Sequence, residues 1–181
     1  MFKLNAKQLR KGTLRLRSGQ AGETRVRQEI YIVLDNVLDT YNIGSIFRLA
    51  DAVAAKKVYL CGQTETPPNH RIKKASINTT EWVEWGYAQS AVKVIYDLRF
   101  TINDIQIVAI EQSTKSVQYD KFEYKLPICL IVGNETTGVS KEVLGISDGI
   151  VEIPMFGVNK SLNVMVSLGI VMYKVVGQIK R

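Results

Sequence analysis

Short runs rich in apolar residues recur along the chain, each about strand length and each followed by polar or turn-forming residues. They fall at residues 30–34 (Ile-Tyr-Ile-Val-Leu), 57–61, 106–110 and 128–132, with a shorter run at 150–153. Between them the apolar positions change to helical spacing. Ile43, Ile46, Phe47, Leu49, Ala50 and Val53 form one stripe, which predicts a helix over 42–55. Further helices are predicted over 71–77, 88–100, 140–144 and 161–179, with a weaker strand near 82–85 and a loop at 64–70 around Pro67 and Pro68. Continuously apolar strands separated by helices imply a parallel sheet covered on both faces. The fold class expected is therefore α/β, with one domain over residues 30–181.

Charge separates the remaining residues from that domain. Residues 1–29 hold eight Lys or Arg against Glu23 and Glu29, so nearly all of the formal net charge of +7 sits on an N-terminal arm. Arg10, Lys11, Arg15 and Arg17 make the arm a candidate polyanion contact. A solubilising tail is the plainer alternative, and the glycines at 12, 19 and 22 suit either. The domain itself is near neutral. With 46% hydrophobic and 23% charged residues the composition is that of an ordinary globular protein. No apolar run reaches the ~20 residues of a membrane span, nor is there the apolar core of a secretory signal, so a cytoplasmic protein is expected. Cys61 and Cys129 lie in separate apolar runs, and His70 is the single histidine. That is too few clustered ligands for zinc, so no metal is expected, and the cysteines read as buried free thiols.

Three junctions carry the candidate chemistry. At the first, Asn42 is placed to cap the helix after the first strand. Gly44 costs up to ~1 kcal/mol there relative to Ala, which makes sense if another backbone or a ligand approaches closely. Arg48 shares its helix face, so the missing side chain leaves room beside a guanidinium able to grip phosphate with two parallel bonds. At the second, the run 128–132 enters a loop in which Gly133 and Gly138 flank Glu135, and Ser140 is placed to cap a short helix. Open α/β sheets bind ligands at the carboxyl ends of their strands. This loop is neither a dinucleotide fingerprint nor a phosphate loop. Glu135 suits either orienting a substrate or binding loop N–H groups. The third junction gathers Pro154, Gly157, Lys160, Ser161 and Asn163 before the closing helix, with Ser161 expected as its cap and Asn163 in its first turn.

Taken in order, Asn42-x-Gly-x-x-x-Arg48, Gly133-x-Glu135-x-x-Gly138, and Ile153-Pro-Met followed by Ser161-Leu-Asn163 resemble the SpoU (TrmH) family of the SPOUT RNA methyltransferases. The resemblance covers residues 30–178. It implies an α/β parallel-sheet SPOUT-like domain with a C-terminal trefoil knot, which general topology rules would have argued against, and a homodimer. It implies transfer of the methyl group of S-adenosyl-L-methionine to a ribose 2′-hydroxyl of RNA. By position, Gly133, Asn134, Gly138, Ile153, Met155 and Leu162 would hold the cofactor. Arg48, Asn42, Glu135, Ser161 and Asn163 would be the catalytic positions, and Lys73, Lys74 and Lys160 would join the arm in binding RNA.

In that family the Arg is sometimes assigned as general base. A guanidinium with a pKa above ~12 accepts protons poorly, so Arg48 is read here as a phosphate anchor. The short basic arm is more like the extensions of tRNA-modifying members than the separate N-terminal domains of rRNA-modifying ones, which favours tRNA over rRNA. A non-catalytic RNA-binding member of the same fold is the alternative, disfavoured by the five polar positions being present together. A base methyltransferase is disfavoured by the Ser-Leu-Asn and Asn-x-Gly-x-x-x-Arg pair.

Overall fold

The computed structural model describes residues 26–179, so Arg10, Lys11, Arg15 and Arg17 lie outside the described residues. In chain order the elements are β1 (Gln28–Asp35), α1 (Thr40–Ala52), β2 (Ala55–Cys61), α2 (His70–Ser76), a 3-10 turn (Thr79–Glu81), β3 (Trp85–Ala88), α3 (Ala91–Thr101), β4 (Gln106–Ile110), β5 (Val117–Gln118), β6 (Ile128–Gly133), α4 (Lys141–Ile146), β7 (Gly149–Glu152) and α5 (Val164–Ile179). The seven strands form one sheet in the order β3-β2-β1-β6-β4-β7-β5, and every neighbouring pair is parallel. The expected α/β parallel sheet is present.

The apolar runs work because alternate residues of a strand point to opposite faces. Ile30, Ile32 and Leu34 of β1 and Ile128, Leu130 and Val132 of β6 pack with α1, α2 and α5 on one face. Tyr31 and Val33 of β1 and Cys129 and Ile131 of β6 pack with α3 and α4 on the other. A strand buried on both sides has no position for a polar residue until its end. Cys61 and Cys129 are free and buried, and burial pushes the Cys61 thiol up to about 12, with Asp35 adding to it. Both are packing residues.

Several local expectations are corrected. The helix predicted from Asn42 begins at Thr40, because Asp39 is the cap: its carboxylate accepts from the Tyr41 N–H at 2.8 Å. That helix ends at Ala52, and Ala55 already belongs to β2. The weak strand near 82–85 lies at Trp85–Ala88, delayed by the 3-10 turn, and α3 starts three residues later than predicted. Strand β5, two residues at the sheet edge, has no counterpart in the apolar pattern.

Gly44 is required by a backbone and not by a ligand. A Cβ there would lie 2.6 Å from Ala75 Cβ and 2.7 Å from the Ile72 carbonyl oxygen. The space expected beside Arg48 is therefore filled by α2, which seats directly on α1.

Candidate active site

The carboxyl ends of β6, β4 and β7 and the segment entering α5 surround a cavity of about 420 Å³. Its first wall is the loop after β6. A Cβ on Gly133 would come within 2.2 Å of the Gly138 and Val139 backbone, so only glycine lets the loop fold back so tightly. Asn134 closes that fold. Its N–H and C=O pair with Gly138, its side-chain oxygen accepts from the Thr136 and Thr137 N–H groups, and its Nδ2 donates to the Asn36 carbonyl at 3.0 Å. Ser140, expected to cap α4, makes no side-chain cap. Both its N–H and its hydroxyl bond Asp35, a carboxylate only 3% exposed at the end of β1. The loop is thus anchored to the neighbouring strand.

A chain of hydrogen bonds joins two lining residues, Asn163 and Glu135, through the buried Asn42. Asn163 Oδ1 accepts from the Met165 N–H at 2.9 Å, and its Nδ2 donates to Asn42 Oδ1 at 2.9 Å. Asn42 Nδ2 donates to Glu135 Oε1 at 3.0 Å. Glu135 also accepts from the Leu38 and Asp39 N–H groups at 3.1 and 3.0 Å. The direction of this chain is fixed at both ends. A backbone N–H can only donate and a carboxylate can only accept, so both amides between them have one permitted orientation. Partial burial pushes the Glu135 carboxyl up, but the bonds from Asn42, Leu38, its own N–H and Asp39 outweigh it and hold it below the usual carboxylate range.

Asn163, not Ser161, caps α5, because the helix starts at Val164 and Asn163 takes the first-turn N–H groups. Ser161 sits in the loop before it, lining the cavity, and its hydroxyl makes no hydrogen bond among the described residues. Ile153, Met155 and Leu162 line the same cavity from the second wall. Arg48 does not line it. It lies about 9 Å further along α1 than Asn42, at ~1.5 Å per residue, and is exposed without an ion pair among the described residues. Lys73 and Lys74 are exposed in the last turn of α2, and Lys160 is exposed in the loop before α5.

Residues 29–173 match the model of the SpoU rRNA methylase family. The chain belongs to that family. Among relatives of this SpoU protein, the tRNA (guanosine(18)-2′-O)-methyltransferase of Aquifex aeolicus is 34% identical over 82% of this chain and 69% of its own length. That of Escherichia coli K12 is 27% identical over 83% of this chain and 64% of its own length. The SpoU chain therefore spans about two thirds of these relatives. Among solved structures, the A. aeolicus TrmH/SpoU tRNA modifying enzyme superposes with a TM-score of 0.76 at 30% identity, covering 85% of this chain and 77% of that one. The SpoU methyltransferase AviRb from Streptomyces viridochromogenes, in complex with AdoMet, gives 0.77 at 26% identity over 86% and 62%.

The SpoU cavity suits S-adenosylmethionine on its own chemistry. Ile153, Met155 and Leu162 offer apolar wall, and among the described residues the charged side chains lining the space are Glu111, Glu135 and Glu152, with no Lys or Arg, which suits a cationic sulfonium. Two lining residues escaped the sequence motifs. Glu111 Oε2 accepts from the Val139 N–H at 2.8 Å, tying the end of β4 to the first wall. The Gln112 amide donates to the Lys160 carbonyl, tying it to the second. A polar pair immediately after a buried strand was the available signal. Among the described residues no group of His, Cys, Asp or Glu is arranged to hold a metal ion, and no helix is long and apolar enough to cross a membrane.

Proposed function

We propose that this chain methylates the ribose 2′-hydroxyl of a structured RNA, tRNA ahead of rRNA, using S-adenosylmethionine bound between residues 133–138 and 153–162. The observation that carries the reading is the directed chain Asn163–Asn42–Glu135, whose two ends line the cavity. It leaves the second N–H of Asn163 and the Ser161 hydroxyl beside the place where a ribose must enter. The cofactor supplies an activated methyl group on a positively charged sulfur. The protein's contribution is then alignment of the hydroxyl, which can supply much of a rate enhancement. Glu135 acts as the fixed acceptor that orders Asn42 and the N-terminus of α1, Asn42 orders Asn163, and Asn163 and Ser161 orient the hydroxyl. Arg48 anchors the adjacent phosphate, with Lys73, Lys74, Lys160 and the basic arm at 1–29 following the backbone.

The tRNA reading is supported by the names of the relatives at 34% and 27% identity, which act on guanosine 18. The rRNA reading is supported by the description of the matching family. Incubating separated tRNA and rRNA fractions with purified protein and labelled cofactor, then mapping 2′-O-methyl positions, decides between them. Label appearing on a base, or in neither fraction, would refute the proposal.

The finer architecture is part of the same reading: a methyltransferase domain over 30–181, a C-terminal trefoil knot, a homodimer, and work in the cytoplasm where tRNA is found. The knot is supported by the way the connection from β4 to β6 holds the C-terminal segment at two separated points. Gln112 holds Lys160, while Gln178 accepts from the Tyr124 N–H and donates to the Phe122 carbonyl. Self-association is supported by Val166 and Tyr173, exposed apolar residues two turns apart on α5.

A further inference from the structure

We propose that Glu111 is a specificity-determining residue of this cavity, its carboxylate favouring the sulfonium of S-adenosylmethionine over the neutral thioether that remains without the methyl group. The inference rests on the cavity being the S-adenosylmethionine site. The two ligands differ by one positive charge, because the bonding pair of the lost S–CH₃ bond stays on sulfur. A fixed negative charge in the wall therefore separates them where shape barely can.

Glu111 is built to be such a charge. Oε2 accepts from the Val139 N–H and Oε1 from the Gln112 N–H, each at 2.8 Å. These donors fix the carboxylate without neutralising it, because neither carries a positive charge. Among the described residues no Lys or Arg lines the cavity and Glu111 forms no ion pair. Gly138 admits it: a Cβ at that position would lie 2.1 Å from Glu111 Oε2. The other charged side chains lining the cavity are also carboxylates. Glu135 is occupied by Asn42 and two backbone N–H groups, and Glu152 accepts from the Ser116 hydroxyl at 2.8 Å. A cation entering this space gains Coulomb attraction that an uncharged ligand of the same outline does not.

Isothermal titration of S-adenosylmethionine and S-adenosylhomocysteine into the wild type and Glu111→Gln tests this. Gln removes the charge and keeps an acceptor for one of the two N–H groups, Val139 or Gln112, while its NH₂ faces the other. The expected result is a melt lowered by the one lost loop hydrogen bond but still cooperative, with the ratio of Kd for the thioether to Kd for the sulfonium falling about three- to tenfold. An unchanged ratio, or equal weakening of both ligands, overturns the proposal and leaves Glu111 as a loop anchor only. Wild type that binds neither ligand overturns it together with the functional reading, whereas binding of both with an unchanged ratio leaves that reading standing. A further arm needs no variant: sinefungin, with an amine-bearing carbon in place of the sulfonium, should bind the wild type like S-adenosylmethionine. If it binds no better than the thioether, charge is not what the cavity reads.

Discussion

Asn42→Asp is the sharpest perturbation of the site, because it changes one NH₂ to an oxygen and reverses what the position can donate. Asn42 is 6% exposed, and its Nδ2 lies 3.0 Å from Glu135 Oε1. The substitution puts two carboxylate oxygens at that separation. Their repulsion is about 1.4 kcal/mol with water-like screening and about 5.5 kcal/mol at an effective dielectric of 20. Glu135 is exposed, so a value in the lower half, about 2–3 kcal/mol, is expected. A ceiling of about 4 kcal/mol applies at pH 7, since the pair can instead take up one proton onto a carboxyl of pKa ~4.

The sign follows from linkage. In wild type the depressed Glu135 pKa contributes stability that is present above the ordinary carboxylate range and lost as pH falls through the depressed value. In the variant one carboxyl is raised, so its deficit is small near pH 4 and grows with pH to a plateau. Urea denaturation of both proteins between pH 4 and 8 measures this. Asn42→Asp combined with Glu135→Gln restores a donor facing an acceptor and should recover about half the loss in a double-mutant cycle. A deficit independent of pH, or no rescue by the second substitution, would refute the fixed direction of the chain.

Gly44→Ala should destabilise the protein by about 1–3 kcal/mol through overpacking against Ala75 and the Ile72 carbonyl, despite a gain of up to ~1 kcal/mol in helix propensity; a shift of the urea midpoint to higher values would contradict this. Arg48→Lys should leave the Kd for S-adenosylmethionine unchanged while kcat/KM for RNA falls about tenfold or more, as a forked contact becomes a point charge; near-full activity counts against a forked phosphate contact. Val166→Glu with Tyr173→Glu should shift sedimentation from dimer to monomer without lowering helix content, and a wild type that already sediments as a monomer would sink that assignment.

The sheet was legible because a strand buried on both faces must be apolar throughout, and few other elements of that length are. Helix starts were less legible. Asn42 and Ser161 are good caps by residue type, yet the residues three before and two after them, Asp39 and Asn163, are equally good. Propensity cannot choose among neighbours of equal preference; the choice falls to tertiary partners, and here Asn42 is drawn inward by Glu135 and Asn163. Ser140 was misread for the same reason, its hydroxyl turned to Asp35. Gly44 signals a close approach by its missing side chain alone, but whether α2 or a ligand makes that approach is set by tertiary packing. Glu111 and Gln112 carry no motif at all, since their importance comes from which loops the topology brings to the end of β4.

The cavity lining carries charge of one sign only among the described residues. Arg48, Lys73, Lys74 and Lys160 are exposed outside the cavity, while among the described residues the cavity is lined by Glu111, Glu135 and Glu152 and by no cation. A methyltransferase acting on RNA must hold two ligands of opposite sign within bonding distance of one another. Lysines inside the cavity would draw phosphate into the cofactor's space, and carboxylates on the outer face would repel the RNA backbone. In the function proposed above, the position where the two ligands meet is held by Asn163 with Asn42 behind it, both neutral and able to donate and accept. A charged residue at either place would favour one ligand at the expense of the other, which is a physical reason for amides there that is independent of any proton transfer.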